Sequence, residues 1–422
     1  MDDYRHRKEL FVSNLNGTTL YETGSIMINI CTTYFLCQIL KSPNSKYGIF
    51  NFLFENIILV IPLILTTTVL SSFNDISHFI LCGIVLLIYV LKSPLPVHNQ
   101  QVNNQNSYSR ILEYFRGQMI LVTCICILAV DFSIFPRRYA KTENYGYSGM
   151  DLGVGLFAIA HGMVSSEARN KQTKVKDLFL ENFVLLLLGI IRLISIKYLS
   201  YVEHVSEYGV HWNFFLTLCF MKLIAIFHEL ILLRYLQFDN YLIESNQLRT
   251  SFIDANREGI FSLGGYVCLY LIGVYIGRLI IINEYEQRLK DMTLKLIVAT
   301  IILCSISYNS SRKLCNFGYI TSTTGLACMT LGGFCLAQCL LRRKGYSTES
   351  LLLKNVNQKG LDVFLLANVL TGVINLNINT IDTTDFVALF IIIIYMFIIT
   401  TLAYVSPSLI KLIMRSLNLS KH

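Results

Sequence analysis

The sequence predicts an all-α polytopic membrane protein, a bundle of about 12–13 transmembrane helices. Three observations point there. Charged residues are only 15% of the 422, where a soluble domain has about 25%. Hydrophobic residues reach 54%, and mean hydropathy is +0.53. The apolar residues are also gathered into runs of about 20, the length that crosses a bilayer as a helix. This balance excludes a water-soluble enzyme on one anchor, a disordered chain and a secreted disulfide scaffold.

The runs cover 24–40, 49–70, 76–91, 111–131, 151–166, 178–200, 211–236, 259–282, 293–308, 318–341, 360–378 and 385–406. The stretch before the first, MDDYRHRKELF, is polar and lacks a signal-peptide core, so the first run acts as its own insertion signal. The longest tracts between runs are 92–110, 132–150, 237–258 and 342–359, each too short for a soluble domain. Within the first of these, NQQVNNQNSYS (99–109) has the composition of a flexible linker. Residues 1–422 therefore read as one integral-membrane domain, with a polar N-terminal tail (1–23), helices between about 24 and 406, and a short C-terminal tail. The twelve cysteines are scattered with no CxxC pair, which suits buried free thiols.

The net charge of +8 is read as loop lysine and arginine facing the cytoplasm, not as a nucleic-acid signal. Twelve spans distribute the 28 loop and tail cations 16 to 12 between the two sides. A thirteenth crossing near 211–258 makes the split 18 to 10. The positive-inside rule prefers the latter, with the N-terminus outside the cytoplasm and the C-terminus within it. The acceptor motif Asn16-Gly17-Thr18 is then luminal.

Polar residues concentrate in 110–155, which opens on Glu113 and Arg116. An apolar helix follows, ending at Asp131; then comes FPRRYAKTE and a return to the membrane through Gly146, Gly149, Gly153 and Gly155. At such a span end burial favours the neutral carboxyl and nearby cations the charged one. That balance suits a general base; the commoner role of a lone Asp at a helix end is an interfacial cap or a pairing with Arg137 or Arg138. Pro136 stops the helix and lets the cations fold back. Glu113 and Asp131 share a helix face but lie about 27 Å apart, so they mark opposite ends of one span. Glu113 and Arg116 have the spacing of an i,i+3 ion pair.

Other ionisable residues inside apolar runs are His161, Arg192, Lys197, Lys222, His228, Glu229, Arg234 and Arg278. Intramembrane charge is costly and points to a polar cavity or a packing network. HWNFF (211–215) holds the only tryptophan, Trp212, beside Asn213; a span-edge tryptophan is normally an interface anchor. In NREGIFSLGGY (256–266), Arg257 and Glu258 precede a helix whose Gly273 and Gly277 form GxxxG, a packing motif. Nucleotide-binding, serine-hydrolase and zinc motifs are absent, and no metal site is expected.

The string AVDFSIFPRRYAKTENYGYSGMDLGVG resembles the signature of the inositol acyltransferases of glycosylphosphatidylinositol (GPI) anchor synthesis. KELFVSNLNGTT (8–19), EYFRGQMILVT (113–123), HWNFFLTL (211–218) and NREGIFSLGGY resemble further blocks of that family in the same order, up to about residue 280. The remaining helices agree in character. The resemblance implies a many-spanning endoplasmic reticulum enzyme, usually drawn with thirteen spans. It transfers an acyl chain, commonly palmitoyl, from acyl-coenzyme A to the inositol of glucosaminyl-phosphatidylinositol. The family's catalytic Asp and Lys, ten residues apart, fall on Asp131 and Lys141. Arg137, Arg138, Tyr139, Glu113, Arg116, His161, Trp212, Asn213 and Arg257 are the candidate substrate-binding residues. The expected partners are acyl-coenzyme A as donor substrate, the glycolipid acceptor and the bilayer; no nucleic acid and no resident cofactor is expected. Two competing readings are a polytopic transporter and an acyltransferase with His161 as its base.

Overall fold

A computed structural model of the protein describes residues 2–13, 15–41, 48–94, 109–169, 175–199, 208–226, 251–283 and 286–405. It is 78% helical, far above the soluble norm of about a third, with no strand among the described residues. The helices run α1 (Asp2–Phe11), α2 (Leu20–Leu40), α3 (Ile49–Leu59), α4 (Ile61–Thr67), α5 (Asn74–Leu91), α6 (Arg110–Ala129), α7 (Gly149–Met163) and α8 (Val175–Leu199). They continue as α9 (Phe214–Ile226), α10 (Phe252–Ala255), α11 (Arg257–Asn283), α12 (Glu286–Ser305), α13 (Phe317–Arg343), α14 (Leu351–Gln358), α15 (Gly360–Asn377) and α16 (Asp385–Val405).

Among the described residues, each of the twelve apolar runs overlaps helix. Seven helical stretches of the described residues are long and apolar enough to cross a membrane, α3 and α4 counted together, and four more apolar helices are shorter. The all-α polytopic class is as expected. Phe79, Leu87 and Val90 on α5, Ile301 on α12, Val369 on α15 and Phe386 on α16 point outward. Exposed apolar side chains in such numbers suit a helix bathed in lipid, because every backbone polar group is satisfied inside the helix. The run 49–70 is two helices, α3 and α4. Pro62, in the first turn of α4, has no N–H to offer the preceding turn, and the two helices meet at Val60, whose own N–H still donates to Asn56 O.

The segments outside the spans hold helix that hydropathy does not register. The tract 342–359 is not a bare connection: it carries α14, whose Leu352, Leu353 and Val356 are buried. Eight residues are too few to span, so hydropathy alone reads this amphipathic helix as loop. The N-terminal tail likewise contains α1. The run 211–236 is seen as α9 up to Ile226; the thirteenth crossing and His228, Glu229 and Arg234 lie outside the described residues, as does the side chain of Lys197.

The chain divides into two compact units. The first comprises Met1–Leu20, Arg138–Ile282 and Val298–Cys328; the second comprises Tyr21–Arg137, Asn283–Ile297 and Met329–His422.

In the first unit, α7 and α11 cross through glycines. A Cβ on Gly273 would stand 2.2 Å from the carbonyl oxygen of Ile159, one on Gly277 2.4 Å from that of Met163, and one on Gly162 2.0 Å from that of Tyr270. Only glycine admits such an approach, and the GxxxG spacing is thus a packing device.

In the second unit the buried carboxylate of Glu55 organises one end. Its oxygens accept from the N–H of Leu351 (3.2 Å) and of Leu352 (2.7 Å), and from the hydroxyl of Ser350 (3.0 Å). They satisfy the first turn of α14, where an anion is also favoured by the helix dipole. Lys41 Nζ neutralises the same carboxylate at 2.7 Å. α14 then lies tight on α6, where a Cβ on Gly117 would reach 2.6 Å from the Leu353 carbonyl oxygen.

Candidate active site

Asp131 lies in the second unit, two residues beyond the end of α6, and is 92% shielded, with a relative exposure of 8%. The turn around it is built from leftover helix carbonyls. The Asp131 N–H donates to Leu128 O at 3.1 Å. Arg137 folds back after Pro136, and its Nη2 donates to the carbonyls of Val130 (2.8 Å) and Phe135 (3.0 Å). Cations at a helix C-terminus satisfy orphan carbonyls and complement the dipole. Burial lowers Arg137 to about 10, against the opposing pull of Asp131. On the carboxylate itself, Asn375 Nδ2 of α15 donates to Oδ2 at 2.7 Å. A charge-assisted bond of this kind fixes the plane of the carboxylate.

Lys141 lies in the first unit, in a loop tied down from three directions. The next residue, Thr142, donates both its N–H (3.1 Å) and its hydroxyl (2.7 Å) to Asp151 Oδ2. The other oxygen, Asp151 Oδ1, accepts from Arg312 Nε at 2.8 Å, and both side chains of this ion pair are nearly inaccessible. Ser148 caps α7 by accepting from the Asp151 N–H. The N-terminal segment binds the loop from a second side: Glu143 N–H donates to Leu15 O, and Thr18 N–H to Tyr147 O. Here Gly146 has φ +138, and a Cβ on it would stand 2.6 Å from Asn16 O; glycine alone satisfies both demands. The segment before α13 holds the third side, with Gly146 N–H on Ser310 O and the Ser311 hydroxyl on Asn144 O. Arg138 stacks over the ring of Tyr139, and Tyr139 is itself buried.

The HWNFF and NREGIF blocks meet in the same unit. Trp212 is not an interface anchor: its indole is buried on Gly259, stacks on Phe220 at 5.2 Å, and donates Nε1–H to the Thr217 hydroxyl at 3.0 Å. Asn213 caps α9 by accepting from the N–H groups of Phe215 and Leu216, and its amide donates to Gly189 O. Arg257 and Glu258 form a buried pair at 3.5 Å. The His161 ring lies 6.2 Å from that of Tyr270.

Glu113 is in α6 at the end opposite Asp131, as the periodicity requires. Its surroundings are wider than an i,i+3 pair: Lys354 acts on it first, then Arg110 and Arg116. Arg110 in turn pairs with Glu349 at 2.8 Å on the exposed rim.

Arg137, Trp212 and Asn213 each tie neighbouring parts of the fold together through hydrogen bonds. Two residues central to the arrangement carry no local signal. Asn375 is 244 positions from Asp131, and Arg312 is 161 from Asp151. Asn375 is marked only as a polar residue near the end of an apolar run, and Arg312 only as one of several polar residues between two runs.

Fold and site together define a polytopic membrane protein with a shielded carboxylate at a span end and a rigid, cation-bearing loop beside it in sequence. The GWT1 family profile matches residues 4–406, past the point near 280 where the blocks of local resemblance end. A GPI-anchored wall transfer protein 1 of Schizosaccharomyces pombe is 33% identical over 95% of this chain and 97% of its own length. Those of Kluyveromyces lactis and Saccharomyces cerevisiae are each 31% identical, over 97% and 94% of this chain and 98% and 96% of theirs. The chain belongs to the GWT1 family, the inositol acyltransferases of GPI-anchor biosynthesis. Membership places it among O-acyltransferases and disfavours the transporter reading.

The Asp151–Arg312 pair generates a prediction. Arg312→Met strands a buried carboxylate and should cost about 3–5 kcal/mol, seen as a large fall in thermal unfolding temperature in detergent. Adding Asp151→Asn to that variant should recover much of the loss. Equal stability of Arg312→Met and the wild type would show that the pair is not structural.

Proposed function

We propose that the protein transfers a fatty acyl chain, with palmitoyl the favoured one, from acyl-coenzyme A to the inositol of glucosaminyl-phosphatidylinositol in the endoplasmic reticulum membrane. The observation that carries the chemical reading is the shielded Asp131 carboxylate held by Asn375 at the end of α6. Asp131 takes the proton of the inositol hydroxyl as general base. The freed oxygen attacks the thioester carbonyl, and Lys141 stabilises the tetrahedral oxyanion. The carbon–sulfur bond then breaks, coenzyme A leaves as the thiol with the proton passed on from Asp131, and the inositol ester remains. Direct transfer needs no nucleophilic side chain. Arg138 is the favoured phosphate contact, since Nε and Nη2 of Arg137 are already engaged by the carbonyls of Val130 and Phe135. Arg257, His161, Glu113 and Arg116 remain candidates to line the substrate paths.

Orientation has support within the second unit. Lys92 Nζ donates to Ile39 O, Lys344 Nζ to Lys92 O, and Lys41 pairs with Glu55. Arg110 joins this end by donating to the Thr348 hydroxyl. So the Arg110 end of α6 gathers cations, and the positive-inside rule assigns it to the cytoplasm. Asp131 and the 132–150 loop are then luminal, with the N-terminus luminal and the C-terminus cytoplasmic.

Two experiments test this. Purified protein should transfer label from acyl-coenzyme A to glucosaminyl-phosphatidylinositol, and Lys141→Ala should slow turnover at least about 100-fold. Lys141→Arg should fall nearly as far if one donor meets one oxyanion position, because arginine changes reach and geometry. Full activity of Lys141→Ala would remove the oxyanion assignment. For orientation, a cysteine replacing the exposed Tyr145 should resist an impermeant thiol label applied to the cytoplasmic face of sealed vesicles. Labelling from that face would reverse the topology.

A further inference from the structure

We infer that Asn375 is the positioning residue of the general base: its amide sets the orientation and protonation of Asp131. This deepens the proposed reaction and rests on the assignment of Asp131 as base.

Asn375 stands near the C-terminal end of α15, in NVLTGVINLN, one of the few amides of an otherwise apolar helix. Its Nδ2 lies 2.7 Å from Asp131 Oδ2, the short end of the range for an N–H donor to a carboxylate. The contact joins residues 244 apart, so it exists only because α15 packs along α6. That packing is fixed independently. The Tyr395 hydroxyl of α16 donates to Cys124 O of α6 at 3.1 Å, and the side chain of Ile120 fills the space over Gly360 at the start of α15. A half-buried amide held on a rigid helix can aim a carboxylate with little loss of entropy on reaction.

Among the described residues of the same unit, Arg137, from the turn after α6, and the Tyr395 phenol, from α16, act on Asp131 electrostatically. Asp382 and Asp385 follow α15 in sequence. None of these four is altered when Asn375 is replaced, so a change in proton affinity at the base reports the lost amide. A carboxylate that loses a donor is protonated at higher pH. A base that also loses its orientation works more slowly once deprotonated.

The test is the pH profile of acyl transfer by the purified full-length protein, for Asn375→Leu and Asn375→Asp. Leucine keeps the shape and removes the donor. The acid limb of turnover should move to higher pH and the plateau should fall about tenfold, the scale of one charge-assisted hydrogen bond. The KM for acyl-coenzyme A should stay near the wild-type value. Asn375→Asp should move the limb further, because two adjacent carboxylates share a proton. A residue that only packs would lower the yield of active protein at every pH and leave the limb where it was. Wild-type limbs in both variants, beside an inactive Asp131→Asn, would overturn the positioning role and leave the base standing. An active Asp131→Asn would overturn the base assignment, and this role with it.

Discussion

Inside a bundle that excludes water, a charge persists only where its partner is already in place, and the Asp151–Arg312 pair is where this protein meets that demand most fully. Its 2.8 Å contact is nearly inaccessible on both sides. Every remaining acceptor of Asp151 is used as well: Thr142 takes Oδ2 twice, and the Tyr319 hydroxyl donates to the Asp151 carbonyl at 2.6 Å. Breaking such a pair is expensive even where forming it contributes little net stability. The pair therefore acts as a rigid joint. It fixes the start of α7, the residue after Lys141 and the segment before α13 at once. The same rule governs the second unit, where Glu55 is shared between Lys41 and the first turn of α14.

That economy explains why so much charge in a hydrophobic chain is not catalytic. Arg137 closes a helix end, Asn213 opens one, and Trp212 fills the space a glycine leaves. Cys124 and Cys126 lie buried in α6 just before Asp131, and thiols in apolar surroundings are poor nucleophiles. The proposed transfer places its chemistry on Asp131, Lys141 and Arg138. Direct transfer from thioester to hydroxyl suits that short list, since it asks for a base and an oxyanion partner and for no covalent relay.

The helical class and the positions of the spans were legible in the sequence because both rest on local quantities, hydropathy and run length. So was the placing of Glu113 and Asp131 at opposite ends of α6, which needs only the helical repeat. The glycines of α11 announced close packing correctly, but not their partners on α7. What escaped was long-range or sub-threshold. α14 is too short to register as a span, and its burial depends on Glu55, nearly 300 residues earlier. Arg312 and Asn375 are ordinary polar residues until the fold brings them to Asp151 and Asp131. Trp212 misled because the composition of a span edge does not reveal whether that edge faces lipid or a neighbouring helix.

The account stands most directly on Asp131 as the proton acceptor. Asp131→Asn keeps the shape of the side chain and removes its basicity. Single-turnover acyl transfer by this variant, in vesicles containing glucosaminyl-phosphatidylinositol and with folding checked by thermal unfolding, should be slower by at least about 100-fold while acyl-coenzyme A still binds. Transfer at a near wild-type rate by the folded variant would contradict it.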